Sequence, residues 1–277
     1  MIIHLVDGTY ELFRHFFGAR RFNKGEDKPM GAVFGVLGTV LEMIETGATH
    51  IGVATDHVIE SFRNELWDGY KTGDGIEPAL WRQFHPLEEA LLAMGVATWP
   101  MVELEADDAL ASAAHLASLD PRVEKVCIWT PDKDLAQCVR DDRIVQIDRK
   151  TKEIRNATKI REKYGVAPEH IPDFLALVGD SADGYPGITG IGKTGAARLV
   201  NQHGALENFP AEVLGANRDD ALLFKRLATL RADAPLFTTV DELKWRGPTP
   251  VFERWALAHG GDRIFQRSRK AGDVVTS

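Results

Sequence analysis

Apolar positions along the chain fall into two rhythms. Short runs occur at Ile2-Ile3-His4-Leu5-Val6, His50 to Thr55, Val126 to Trp129 and Arg143 to Asp148. Their length and composition predict strands. Between them, Gly31 to Met43 follows Pro29 as a helical stretch. Pro86 to Met94 carries Leu87, Leu91 and Leu92 at helical spacing, and Asp107 to Leu119 reads as a helix with a small-residue face. Strands alternating with helices up to about residue 165 predict an α/β fold, a mainly parallel sheet flanked by helices on both faces.

From about Val166 the texture changes. Ile171 to Val178 reads as a short helix, and further helices are predicted over 206–209, 219–231 and 251–258. Two domains are therefore expected, residues 1–166 and 167–277. Ser61 to Phe84 fits neither rhythm. It carries Arg63, Trp67, Tyr70, Lys71, Trp81 and Arg82, is broken by Gly69, Gly73 and Gly75, and lacks a clean apolar face. It is expected to project above the sheet edge as a partly mobile segment.

The strand pattern gains meaning from what ends each run. The first runs into Asp7, the second into Asp56 and the third, through Thr130-Pro131, into Asp132-Lys133-Asp134. A fourth group, Glu105-Ala106-Asp107-Asp108, opens the alanine-rich helix. One aspartate after a strand is usually a turn residue or helix cap. Four groups at equivalent places are another matter. Ligands of open α/β sheets bind outside the carboxyl ends of the strands. Seven acids gathered there repel one another unless cations sit among them, and hard divalent ions with oxygen ligands fit.

Composition narrows the class. The chain has 277 residues, 44% hydrophobic, enough for a large core. Two cysteines, Cys127 and Cys138, make neither a disulfide framework nor a metal-site spacing. No signal peptide or membrane-spanning run is visible, so a soluble, cytoplasmic protein is expected. The net charge of −8 argues against a nucleic-acid partner only if the acids lie on the outer surface. If they ligate metal, local basic patches decide instead.

Gly187-Ile188-Thr189-Gly190-Ile191-Gly192 precedes a small-residue helix, with Lys193, Thr194 and Arg198 adding polarity and charge. This predicts a hairpin between two helices whose amides suit a phosphate. The same string, through Lys193-Thr194, matches a Walker loop letter for letter. Its flanks are helical, however, and no strand precedes it, so the match is read as coincidental.

Taken together, Leu5-Val6-Asp7-Gly8, Ser61-Phe62-Arg63, Tyr70-Lys71, Glu105-Ala106-Asp107-Asp108, Thr130 to Leu135 and Gly179-Asp180 to Gly192 resemble the 5′-nuclease family. That family comprises flap endonucleases, phage exonucleases and the N-terminal nuclease domain of bacterial DNA polymerase I. The resemblance covers residues 2–231 and, with no polymerase domain following, is to the stand-alone form. It implies a PIN-like nuclease domain with 61–84 as an arch, then a helix-three-turn-helix DNA-binding domain. It implies metal ligation by Asp7, Asp56, Glu105, Asp107, Asp108, Asp132 and Asp134, with Asp180 and Asp183 reaching in from the hairpin. Two or more Mg²⁺ or Mn²⁺ ions are implied, and K⁺ is admitted at the hairpin. Lys71 and Arg63 would contact the scissile phosphate, and Gly187, Gly190, Gly192, Lys193, Thr194 and Arg198 the duplex. Tyr10, Phe13, Phe16 and Phe17 follow the first aspartate and either stack on an unpaired base or belong to the core.

The implied activity is 5′-3′ exonuclease and 5′-flap endonuclease cleavage of DNA at flaps, nicks and junctions, in replication and repair, by a monomer. Three positions depart from the family: Gly184 stands where Asn is usual, Asp74 where a basic residue is usual, and Lys193-Thr194 replaces Glu-Lys. Three rivals remain. A PIN-class ribonuclease would lack the hairpin domain and Tyr70-Lys71. A non-catalytic junction binder would lack metal ligands. A P-loop phosphotransferase would need the Walker string to be genuine.

Overall fold

The computed structural model describes residues 1–20 and 28–276. In chain order the elements are β1 (Ile2–Asp7), α1 (Gly8–Arg20), α2 (Gly31–Glu45), β2 (His50–Asp56), α3 (Phe62–Leu66), α4 (Pro78–Trp81), α5 (Phe84–Ala93), β3 (Ala97–Met101), α6 (Ala106–Leu119) and β4 (Lys125–Trp129). There follow β5 (Ile144–Ile147), β6 (Ile154–Arg155), α7 (Ala157–Tyr164), α8 (Ile171–Val178), α9 (Lys193–His203), α10 (Ala211–Leu214), α11 (Arg218–Ala228), α12 (Pro250–Ala258) and α13 (Asp262–Thr276). None of the described helices is long and apolar enough to cross a membrane.

One sheet of order β3-β2-β1-β4-β5-β6 organises the first half. All neighbours are parallel except β5 and β6, so the mainly parallel expectation holds. Successive residues explain why both faces need cover. Ile3 and Leu5 of β1 pack with Ala54, Val126, Ile128 and the alanines of α6, while Val6 packs with Ile51, Val53 and the α2 residues Val36, Leu37 and Val40. Ala109, Ala113 and Ala117 are fully buried, their small side chains setting α6 close against the strands.

The sheet order creates the site. The chain runs from β1 outward to β2 and β3, then returns to β4 on the other side of β1. Such a reversal opens a crevice at the carboxyl ends of the strands. Asp7, Asp56 and the Thr130–Asp134 stretch end β1, β2 and β4 at that crevice.

β3 escaped the sequence pattern. Its Pro100 removes a ladder donor, and a strand with proline is tolerated here because β3 is an edge.

Two expectations are corrected. Residues 167–277 do not form one unit. A separate core gathers Phe174, Leu177, Tyr185, Val200, Phe209 and Phe224, but Trp245, Phe252, Trp255, Ile264 and Phe265 belong to the core of the first unit. Trp245 Nε1 donates to the Met94 carbonyl at 2.9 Å, and its amide donates to the Thr49 carbonyl. The large apolar faces of α12 and α13 need cover, and α2 and α5 supply it. Nor does Ser61–Phe84 simply project. Arg63, Tyr70, Leu80 and Phe84 are buried, while Asp68, Gly69, Thr72, Asp74, Gly75, Trp81 and Arg82 are exposed.

Candidate active site

Asp7 closes β1, and its carboxylate accepts bonds from the Tyr10 amide at 2.8 Å and Thr130 Oγ1 at 3.0 Å. Asp56 closes β2 and accepts the Ala106 amide at 2.8 Å, tying the start of α6 to the strand. The α6 start then splits its acids. Glu105 and Asp108 face one set of partners, and Asp107 faces another.

Arg63 stands at the centre of the first set. It is 1% exposed. Its Nη1 and Nη2 donate to the two Asp108 oxygens, each at 2.8 Å, and Nη1 also reaches Glu105 Oε1 at 3.0 Å. Nε and Nη2 donate to the carbonyls of Leu227 and Thr229 in the second unit. This corrects two expectations. Arg63 has its guanidinium committed inside the protein, where a phosphate does not reach. Asp108 is fully buried, and both oxygens are taken by Arg63 and by the amides of Glu105 and Arg231; it anchors Arg63 and has no lone pair directed at a metal.

Glu105 is similarly enclosed. Ser61 Oγ donates to it at 2.7 Å, Tyr70 Oη at 3.4 Å, and Lys71 Nζ pairs with it at 2.6 Å. Burial works against its charge, but Lys71 and Arg63 outweigh burial and hold its pKa below the usual value. Glu105 is therefore paired with both Lys71 and Arg63.

In the second set no ion pair reaches Asp107, Asp132 or Asp134 among the described residues. Ligand oxygens of Asp107, Asp132 and Asp134 lie within 4.8 Å of one another, as do those of Asp134, Asp180 and Asp183. Asp134 is shared by both triads. Burial, with the charge of Asp132 added, pushes the Asp107 and Asp134 carboxyls well above the carboxylate range. Burial likewise raises Asp183 and Asp56, and carries Asp7 to about 7. Asp134 Oδ1 is buried without a hydrogen-bond partner. An orphaned carboxylate oxygen costs free energy unless a proton or cation meets it. Oxygen-only donors in two triads sharing one residue suit hard divalent cations.

Lys71 bridges the two sets. Beside Glu105 at 2.6 Å, its Nζ pairs with Asp183 Oδ1 at 3.1 Å. Burial disfavours its charge, but Glu105 and Asp183 more than offset this and keep the ammonium protonated. Lys133 pairs with Asp180. The supporting groups Ser61, Tyr70, Thr130 and Lys133 lie outside the expected ligand set, since nothing in their spacing marks them as partners of these acids.

The glycine-rich stretch forms the turn from α8 to α9. Gly190 and Gly192 are exposed with open space beside them, and Lys193, Thr194 and Arg198 are exposed on or just before α9. Gly192 caps α9 with no side chain, so the first amides of that helix are free to meet an anion. Gly187 is different. It is buried, with φ 71°, and an added Cβ would lie 2.3 Å from the Gly179 nitrogen; it closes the turn rather than facing DNA. A helix, not a strand, precedes the turn, which removes the P-loop reading. Of the aromatics after Asp7, Phe16 is core and Phe17 is 44% exposed.

Comparison with known proteins agrees with this geometry. The 5′-3′ exonuclease N-terminal resolvase-like domain matches residues 2–165, and the 5′-3′ exonuclease C-terminal SAM fold matches residues 166–250. The chain is 30% identical over 262 residues to a 5′-3′ exonuclease of Buchnera aphidicola subsp. Schizaphis graminum, covering 87% of this chain and 90% of that one. It is 30% identical over 258 residues to a 5′-3′ exonuclease of Aquifex aeolicus, covering 89% and 87%. DNA polymerase I of Bacillus subtilis is 33% identical over 259 residues, but the chain spans only 29% of that protein. The fold resembles T5 5′-exonuclease with zinc bound, at TM-score 0.66 and 18% identity over the whole of both chains. It also resembles the catalytic core of Rad2 in complex with DNA substrate, at TM-score 0.58 and 14% identity, over 97% of this chain and 91% of that one. With both family models matched end to end in order, this chain belongs to the 5′-3′ exonuclease family.

Proposed function

We propose that the protein hydrolyses DNA phosphodiesters at single-strand/duplex junctions, releasing 5′-phosphate products, with Mg²⁺ or Mn²⁺ held by the two acid triads. The observation that carries this reading is Asp134, shared by both triads with a buried oxygen lacking any protein partner. Asp107, Asp132 and Asp134 would hold one ion, Asp134, Asp180 and Asp183 another, with Asp7 and Asp56 fixing the surroundings. Bound ions there would supply Lewis-acid stabilisation of the charge that develops on the phosphate.

The chain's own residues do the rest. Lys71 presents its ammonium to the crevice, positioned by Glu105 and Asp183 before substrate arrives. The exposed amides at the start of α9, with Lys193 and Arg198, meet duplex phosphates without reading sequence.

Incubating labelled flap, nicked and single-stranded DNA with Mg²⁺ tests the proposal. Cleavage at the junction that stops with excess chelator is expected. Full activity in EDTA would reject it; cleavage of RNA alone would favour a PIN-class ribonuclease, and tight junction binding with no cleavage a non-catalytic binder.

A further inference from the structure

The segment that carries Lys71 is fastened to the segment that carries Asp183 by contacts independent of the charged pair. Trp67 Nε1 donates to the Gly184 carbonyl at 3.0 Å. The Lys71 amide donates to the Asp183 carbonyl at 3.0 Å. The Trp67 ring packs edge-on against Phe224 of α11, with centroids 5.4 Å apart, and Tyr185 stacks on the same Phe224. Between them the two backbones touch. A Cβ added at Gly184 would lie 1.9 Å from the Gly69 oxygen, and one added at Gly69 would lie 2.7 Å from Trp67 Nε1. Gly184 also has φ 85°.

We propose that Trp67 is a positioning residue for the cleavage reaction, latching the 67–71 segment to the 183–184 turn so that Lys71 and Asp183 are set in register. This rests on the reading of Lys71 as the cation that meets the scissile phosphate. The indole N–H is held by the turn and the ring by α11, so the latch joins the loop carrying Lys71 to the helical unit expected to hold duplex. It also explains why glycine occupies position 184. The Gly69 backbone fills the space a side chain would need, so the family's usual residue does not fit this chain.

The test uses single-turnover cleavage of a flap substrate by the full chain with Mg²⁺, alongside DNA affinity measured without cleavage and thermal unfolding. Trp67→Phe keeps an aromatic ring at the position and removes the N–H donor together with one ring of the indole. Loss of one neutral hydrogen bond predicts a rate about three- to tenfold lower, with affinity within twofold and unfolding within a few degrees of wild type. Gly184→Asn, which installs the family residue, should slow cleavage further, and Gly69→Ala should act in the same direction. Trp67→Phe combined with Lys71→Ala should lose less than the product of the two single losses, because part of the latch's effect passes through the ammonium it positions. A wild-type rate for Trp67→Phe beside a slow Lys71→Ala would overturn the latch and leave the catalytic reading standing. A wild-type rate for Lys71→Ala would overturn both. Additive losses in the double variant would show that Trp67 acts elsewhere.

Discussion

Asp107 and Asp108 are neighbours at the start of one helix, yet they live in opposite electrostatic worlds. Asp108 is closed inside a bidentate pair with Arg63 and two backbone amides. Asp107 looks into a crevice shared with Asp132 and Asp134, where burial and mutual repulsion raise its carboxyl well above the usual range. One helical step of about 100° turns the same chemical group from a structural anchor into a candidate metal ligand. The difference lies in the partner each side chain meets. A buried acid with a cation is complete, and a buried acid among acids requires a proton or a metal ion.

The largest effects should come from breaking the uncompensated half. Asp134→Ala removes the residue both triads share and should lower flap cleavage by more than about 10³-fold, the scale on which several kcal/mol of charge stabilisation is lost. Its unfolding temperature in EDTA should not fall, since a strained carboxylate has gone. A fall of many degrees would assign Asp134 to scaffolding. Lys71→Ala, at the border between the halves, should slow single-turnover cleavage by about 10²–10³-fold with little change in DNA affinity. Weaker binding at an unchanged rate would make Lys71 an anchor only.

The compensated half should respond in stability. Asp108→Ala strips the buried Arg63 guanidinium of its bidentate partner and leaves only Glu105 as a carboxylate beside it, which costs about 3–5 kcal/mol, read out by denaturant unfolding. A change below about 1 kcal/mol would show that the pair behaves like a surface contact.

Acidity offers a subtler separation. Asp7 is raised to about 7, so between the ordinary carboxylate range and that value the folded state holds more protons than the unfolded chain. Stability then falls as pH rises through that window. His15, which burial drives down to about 4, works in the opposite sense, because the unfolded chain holds its proton up to the ordinary histidine range. Bound cations act on the acids and leave His15 untouched. The gain in unfolding temperature on adding Mg²⁺ should therefore grow from pH 5 to 7.5. A gain independent of pH would count against metal held by these carboxylates.

The smallest effect concerns Asp74, exposed in the 72–75 stretch with its amide bonded to Thr72 Oγ1. Asp74→Arg should tighten flap binding and steepen the log affinity against log salt slope by about 0.7–0.9, one phosphate contact. Identical slopes would place Asp74 away from the DNA.

The acids at the ends of β1, β2 and β4 were legible in the sequence because a strand run followed by a carboxylate is a local pattern. The partition among them was not. Arg63 and Asp108 lie 45 residues apart, and nothing near either shows that they meet. The same limit hid the course of the C-terminal end. α13 buries Ile264, Phe265 and Ser268 against α2, a helix more than two hundred residues earlier, as the Arg267–Glu45 pair shows. Gly187 and Gly190 look alike in the turn, yet only the fold reveals that one is pressed on Gly179 and the other open. Short-range pattern located the chemistry, whereas long-range contact decided which residues perform it.

Calorimetric titration of Mn²⁺ into DNA-free protein tests the division between the two halves most directly. Wild type should bind, and Asp134→Asn, which keeps the size and removes the shared charge, should lose binding at both triads. Wild-type affinity and stoichiometry in Asp134→Asn would contradict the assignment of the uncompensated half as the metal centre.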